Sequence, residues 1–428
     1  MIYVSVNNKD IITSVSERPF KIDGQKTFKL DKDYGTNLIG KKIPKYLDNG
    51  IRLAIICNWE DQCGIATYTK FLVDALTPKV VEIKIFAENY KKEFNDPRAI
   101  GCWKRGESMA ETINKIKKWN PDIVLIQHEF GIFPRANHFL KMLQSLEEIP
   151  YVITLHSVYE HLDKAVCTSP IKNMIVHTKE AEDMLKKLGN SNNISVIPHG
   201  CVPMNNHGEL WNTFQNPYTI FQFGFGFFYK GVEVAIDAIH YLKNNDPKFK
   251  DIFYCYLCSQ SNHAKNIHSD YYEHLCKKIH KLGLEENVAI LTGYFSDIEL
   301  ENYLRTMKLA IFPYVTDPNN TVYGASGAVR IAMASGTPVI ASKSHLFDDL
   351  EGIIPRTSNH IELAKEIDEI FSCEQHKNLV LHKTKMFVKS NSWENVADQY
   401  VETFINIIQE NRIEEKDSFW QKFLSFFE

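Results

Sequence analysis

From Ile51 onward, short runs of isoleucine, valine, leucine and phenylalanine alternate with stretches whose apolar residues recur at helical spacing, and this constrains the chain more than any other feature. The alternation is that of parallel strands joined by crossover helices, so the fold class is α/β. RLAIIC (52–57), VVEIKIFA (80–87), DIVLIQ (122–127), YVITLH (151–156), MIVHT (174–178) and ISVIPH (194–199) read as strands buried on both faces, because they are continuous rather than alternating apolar runs. Helices are expected between them, over 66–76, 109–119 and 179–188 among others. A second series follows, with strands at YTIFQFGF (218–225), IFYCYLCS (252–259), VAILTG (288–293), LAIFPY (309–314) and TPVIAS (337–342). Two doubly wound domains in tandem leave a cleft at the carboxyl ends of their strands, where open α/β sheets bind ligands.

The 428 residues suit two to three domains. Residues 1–50 break the pattern: SVNNKDIITSV and KTFKLDKDYG read as short hairpin strands, an appended β-rich extension. The first doubly wound domain takes 51–205. A polar, turn-rich stretch with two prolines and no periodicity carries the linker, placed at 206–217. The second domain takes 218–390, and 391–428 are C-terminal helices. The end of that tail sets Phe419, Trp420, Phe423, Leu424 and Phe427 on one apolar stripe, which docks on the protein's own domains or meets a membrane surface or partner.

Hydrophobic residues make up 44% of the chain and charged ones 24%, the balance of a folded globular protein rather than a disordered one. No run approaches the roughly 18 apolar residues of a membrane span, and the first residues lack the pattern of a secretory leader, so a cytoplasmic protein is expected. Nine scattered cysteines argue for a reducing compartment rather than a disulfide framework. Cys255 and Cys258 are spaced like metal ligands, but three residues apart on a strand they point to opposite faces. Residues 1–120 carry 21 Lys and Arg against 15 Asp and Glu, a surplus of six, and the remainder 28 against 38, a deficit of ten. That asymmetry reads as a solvated face, or as steering for an anionic partner or membrane.

Several strand ends carry candidate chemistry. Gly64 lies where the first strand turns into a helix, a point where backbone approaches a ligand closely and free amides face an anion. His128 and Glu129 follow DIVLIQ, and His156 follows YVITL; both histidines are expected to face the cleft. In the second domain, FGFGFFYKG (223–231) leads from strand to helix, and its Lys230 can set a point charge on a diphosphate. Ser326 and Gly327 open another helix, with Ser326 as its expected cap. The two histidines lack metal-ligand spacing and a Ser-His-Asp order.

QCGIATYTKFL (62–72), QHEFGIF (127–133), ITLH (153–156), FGFGFFYKG, LAIFPY, SGAVRIAMASGTPVIAS (326–342) and NSWENVADQYVETF (391–404) together resemble the retaining family 4 glycosyltransferases of GT-B architecture, in the family's order over about residues 51–410. The resemblance implies two Rossmann-like domains facing across a cleft, the first holding the acceptor and the second a nucleotide-diphosphate sugar, with transfer at retained configuration. It implies that Lys230, Ser326, Gly327 and Gly64 hold the donor phosphates, that His156 lies beside the transferring sugar as the catalytic histidine, and that His128 and Glu129 shape the acceptor side. Neither a metal nor another cofactor is implied, since helix N-termini and cations neutralise the leaving diphosphate.

Two departures stand out. The arginine or small polar residue usual shortly before the motif lysine is Phe227 here, and Arg330 is a candidate to replace that charge. The paired glutamates that many members carry align with Tyr323 and Ile331, so sugar and ribose contacts must come from elsewhere, with Asn320, Asn319 and Asp317 as candidates and Tyr323 itself on the donor side. A catalytically weak glycosyltransferase-like subunit that binds nucleotide-sugar or glycan is the alternative reading; a dinucleotide oxidoreductase lacks the three-glycine turn it would need. The acceptor is expected to be an envelope or lipid-linked glycan, with peripheral membrane contact, or else modified DNA in view of the basic front.

Overall fold

The computed structural model describes residues 50–90, 93–161, 166, 171–190, 192–202, 216–259, 265–293, 295 and 297–424, with backbone alone for 265–267, 297–298, 412–424 and for three N-terminal strands. Those strands, β1 (Ile2–Val6), β2 (Ile12–Ser16) and β3 (Lys26–Leu30), form an antiparallel sheet in the order β2-β1-β3, as the hairpin signals of the extension suggested. The linker expected at 206–217 and the last four residues of the tail lie almost wholly outside the described residues, as do the side chains of the tail's aromatic stripe.

The first large sheet contains β4 (Arg52–Cys57), β5 (Glu82–Glu88), β6 (Ala99–Trp103), β7 (Ile123–His128), β8 (Tyr151–Leu155), β10 (Asn173–Val176) and β11 (Asn193–Val196), all parallel, in the order β11-β10-β8-β7-β4-β5-β6. The second contains β12 (Thr219–Phe225), β13 (Phe253–Ser259), β14 (Val288–Gly293), β15 (Leu309–Phe312), β17 (Val339–Ser342) and β18 (Arg356–Thr357), also parallel, in the order β14-β13-β12-β15-β17-β18. Each sheet has a core on both faces, which is why its central strands carry continuous rather than alternating apolar runs. Cys255 and Cys258 indeed enter opposite cores.

Four strands carried no signal strong enough to be read. β6 is an edge strand with a glycine and only two buried residues, and β18 has two residues in all. The other two, β9 (Ser157–Tyr159) and β16 (Val322–Gly324), pair antiparallel in a ribbon that joins the domains. The ribbon begins one residue after His156 and ends two before Ser326. A Cβ on Gly324 would come within 2.5 Å of the His156 carbonyl oxygen, so the strands can approach this closely only with glycine there.

The C-terminal helix, Trp393–Leu424, packs on the first domain rather than the second. Trp393, Val396, Ala397, Tyr400 and Phe404 join Tyr68 and Leu72 of the Gly64–Leu76 helix in one core. Lys79 adds an ion pair to Asp398 at 2.5 Å. Gly200 makes this docking possible, since a Cβ there would lie 2.3 Å from the Trp393 ring. Among the described residues no helix is long and apolar enough to cross a membrane.

Candidate active site

The loop after β12 is held by glycine. Gly231 has φ of 63°, and an added Cβ would stand 1.9 Å from the Pro313 carbonyl oxygen, so this position tolerates no side chain. The loop thereby lies on the end of β15, where the Val315 amide donates to the Tyr229 carbonyl at 2.8 Å. Gln222 fixes it from beneath, its amide donating to the Lys230 carbonyl at 2.9 Å. The result is that Lys230, only 7% exposed, turns its ammonium inward and donates to the Tyr314 hydroxyl at 2.6 Å. Its Nζ stands 4.1 Å from the Tyr314 ring centroid and 4.9 Å from that of Tyr229. Among the described residues no carboxylate pairs with it. A buried cation without a counter-ion is costly, and an anion arriving from outside would offset that cost.

The Tyr314 hydroxyl lies 3.3 Å from Ser326 Oγ, which joins Lys230 to the start of the Gly327–Ala334 helix. Ser326 does not cap that helix, contrary to the sequence reading: its backbone is extended but its hydroxyl is turned to Tyr314, and among the described residues no side chain takes the first-turn amides. These amides carry the positive end of the helix dipole, beside a buried ammonium.

Arg330 does not supply the further charge foreseen for it. It is fully buried, and each guanidinium nitrogen is engaged: Nε with the His199 carbonyl at 3.2 Å, one terminal nitrogen with the Ser326 carbonyl at 2.9 Å, the other in an ion pair with Asp349. It ties the donor-side helix to the first domain. Asn320 sits on an exposed turn whose amides bond back to Asp317. Tyr323 lies in the interdomain ribbon opposite Val158 and stacks on His345 at 4.5 Å, a bridging position.

Across the cleft the Gly64–Leu76 helix starts at Gly64 itself, two residues earlier than read, with Cys63 Sγ accepting from the Ala66 amide as its cap. A Cβ on Gly64 would meet nothing within 4 Å, so space is open in front of it. His156 is buried at the end of β8, its Nε2 2.7 Å from Gln127 Oε1 and its Nδ1 3.3 Å from His177 Nε2. His177 Nδ1 donates to the Ile197 carbonyl at 3.0 Å, which leaves its Nε2 to accept from His156 Nδ1–H. His156 Nε2 is then a lone pair facing an oxygen, which is repulsive as placed; turning the Gln127 amide over exchanges that oxygen for the otherwise unpartnered nitrogen, which donates to Nε2. Burial holds His156 and His177 neutral: the His177 pKa falls to about 4 and that of His156 well below the ordinary value, with the neighbouring imidazoles adding to the effect. Tyr68 packs its ring against His156, His177 and His199, while its hydroxyl meets that of Tyr400 at 2.9 Å.

His128 does not face the cleft. It is fully buried with its ring 5.5 Å from and parallel to Phe133 and edge-on to Phe130, both nitrogens lack a partner, and burial lowers its pKa to about 3. It is a core side chain, because the last residue of β7 still lies beneath the Phe130–Phe139 segment. Glu129, one residue on, reaches the ribbon instead: it accepts from Ser157 Oγ at 2.5 Å, and burial raises its pKa. His177, His199 and Tyr314 were missed as site residues, although the histidines could have been found as further strand-end imidazoles in MIVHT and ISVIPH. Among the described residues no cluster of three histidine, cysteine or carboxylate side chains is arranged to hold a metal ion.

Comparisons with known proteins bear on this arrangement. Residues 219–372, the second sheet with its helices, match the family model described as Glycosyl transferases group 1. No curated protein sequence matches the chain. Among solved structures, Anabaena HepE in complex with UDP and glucose shares 16% identity at a TM-score of 0.61, covering 83% of this chain and 100% of that one. The trehalose-6-phosphate synthase OtsA shares 12% at 0.67, covering 82% and 98%. A trehalose-phosphate synthase from Burkholderia xenovorans, in complex with glucose-6-phosphate, shares 10% at 0.65, covering 82% and 99%. What this chain has in common with them is the fold: two Rossmann-like domains facing one another in the GT-B manner.

Proposed function

We propose that this protein moves a glycosyl group from a nucleotide-diphosphate sugar to an acceptor hydroxyl with retention of configuration, in the manner of the family 4 enzymes its motifs resemble. The observation that carries this is the buried, carboxylate-free ammonium of Lys230 joined through Tyr314 and Ser326 to an uncapped helix start. A diphosphate satisfies both at once, and both stabilise the charge that builds on it as the sugar departs. Gly64, with open space before it, lets the first domain approach the same phosphates. The departing phosphate oxygen then takes the acceptor's proton, which asks for no protein base and fits a site whose histidines are neutral and mutually bonded. His156 forms the wall beside the sugar through a ring held rigid by Gln127 and His177. The chemistry needs no metal, because Lys230 and the amides neutralise the leaving group.

The second-domain family match supports the donor class, and the UDP and UDP-glucose named for the similar HepE structures make UDP-glucose the first donor to try. The acceptor in this reading is a sugar hydroxyl, on an envelope or lipid-linked glycan. Incubation of the purified protein with a panel of nucleotide sugars, read by mass spectrometry, is expected to show one donor consumed, even if only by slow hydrolysis. Tyr323 and Ile331 in place of the usual glutamates favour a second reading, a binding subunit without turnover; saturable donor binding with no hydrolysis or transfer would select it. Binding to DNA that collapses between low and high salt would instead move the acceptor to nucleic acid.

A further inference from the structure

His199 ends the first domain, yet its ring stands at the start of a second-domain helix. A Cβ added to Gly327 would lie 3.0 Å from His199 Nε2, so this nitrogen borders the open first turn of Gly327–Ala334. The other nitrogen is committed: Nδ1 lies 2.8 Å from the Gly200 carbonyl oxygen, which only accepts, so Nδ1 carries the proton and Nε2 offers a lone pair. Among the described residues Nε2 has no hydrogen-bond partner. Arg330 clips the His199 backbone to the helix by donating to both the His199 and the Ser326 carbonyl, and Tyr68 and Trp393 hold the imidazole from the first-domain side, with ring centroids at 4.9 and 5.5 Å. The packing accounts for the ring but not for this nitrogen, which stands unpartnered beside the start of the helix.

We infer that His199 is a ligand of the diphosphate in the site proposed above, and that it takes up a proton from solvent when the anion binds. The inference rests on that reading of the site. A lone pair repels phosphate oxygen, whereas an Nε2–H donates to it, so contact requires the imidazolium. In the free protein burial, the Arg330 charge and His177 keep the ring neutral, with its pKa well below the ordinary value. The groups facing it agree with this: Arg330 is cationic and paired with Asp349, His177 is a neutral imidazole, the Tyr68 hydroxyl is bonded to Tyr400, and Trp393 carries no charge. A bound diphosphate adds opposite charge at Nε2 and raises the pKa. With the bound-state pKa above the free-state one, binding tightens as pH falls through the interval between them.

The test is calorimetric binding of inorganic pyrophosphate to the full chain, at pH 6 and pH 8, for the wild type, His199→Asn, His199→Gln and Lys230→Ala. The titration of pyrophosphate itself is common to all four and cancels in their ratios. Both His199 variants are expected to lose roughly tenfold or more at pH 6, where a charge-assisted hydrogen bond is removed, and little at pH 8. Thermal melting checks that each is folded, and the glutamine keeps a neutral side chain of similar reach should asparagine disturb the packing against Tyr68 and Trp393. Wild-type affinity at both pH values in the two His199 variants, with Lys230→Ala weakened, overturns the role of His199 and leaves the donor site standing. A loss equal at both pH values overturns the proton uptake. No binding by the wild type, or undiminished binding by Lys230→Ala, overturns the site itself.

Discussion

The two faces of the cleft are built on opposite principles. On the first-domain side, His199 Nε2 apart, most polar groups near the cleft pair with one another: His156 with Gln127 and His177, His177 with the Ile197 carbonyl, Glu129 with Ser157, Tyr68 with Tyr400. On the second-domain side Lys230 lacks a counter-ion and the helix amides lack a cap. A self-satisfied wall is rigid and poor at binding charge, whereas the unsatisfied side is unfavourable until an anion completes it. Most of the groups that an incoming anion could complete therefore lie on the second-domain side, with His199 Nε2 facing them from the first. Arg330 is the joint between them, a second-domain side chain holding a first-domain carbonyl.

That joint offers the largest effect. Arg330→Ala leaves Asp349 without its ion-pair partner and takes a donor from the His199 and Ser326 carbonyls, and about 3 kcal/mol of stability is expected to go. Chemical denaturation measures it, and a loss under 1 kcal/mol would show that the domains are joined chiefly elsewhere. Lys230→Ala is expected to lower donor turnover at least tenfold, about 1.4 kcal/mol, with melting unchanged; equal turnover in the variant removes the asymmetry between the faces. Acidification probes the closed face. His177, with a pKa of about 4, and His128, with about 3, stay neutral while the unfolded chain protonates near 6.5, so stability is full above that value and falls as pH drops toward 4. The slope is on the order of 1.4 kcal/mol per pH unit for each such histidine, and a flat melting temperature between pH 7 and pH 5 contradicts the neutral network.

Two smaller substitutions sharpen the comparison. Gly64→Ala meets no protein atom, so melting should hold or rise slightly, while turnover drops a few-fold if phosphate occupies the space before the helix. Unchanged turnover would mean that the first domain stays clear of the donor. His128→Phe puts an aromatic ring among Phe130, Phe133 and Phe139 and removes two unpartnered nitrogens, with no effect on turnover expected in a steady-state assay. A fall in acceptor affinity would return His128 to the acceptor side.

Periodicity alone was enough for the α/β class, for most strands of the two parallel sheets and for the position of Lys230 and Ser326 at strand and helix ends. Those properties are local, since a strand buried on both faces must be apolar throughout and a tight strand-to-helix turn must carry glycine. The direction and partner of each side chain were decided elsewhere. Whether a strand-end histidine meets the cleft, as His199 does, or aromatic rings, as His128 does, depends on which segment folds over it. Whether Arg330 is free or paired depends on Asp349, nineteen residues on, and on a carbonyl in the other domain. The interdomain ribbon pairs residues more than 160 positions apart in two three-residue strands, too short to leave a pattern of their own. Contacts of that kind exist only once both sheets have formed and faced each other, so no local rule of sequence can contain them.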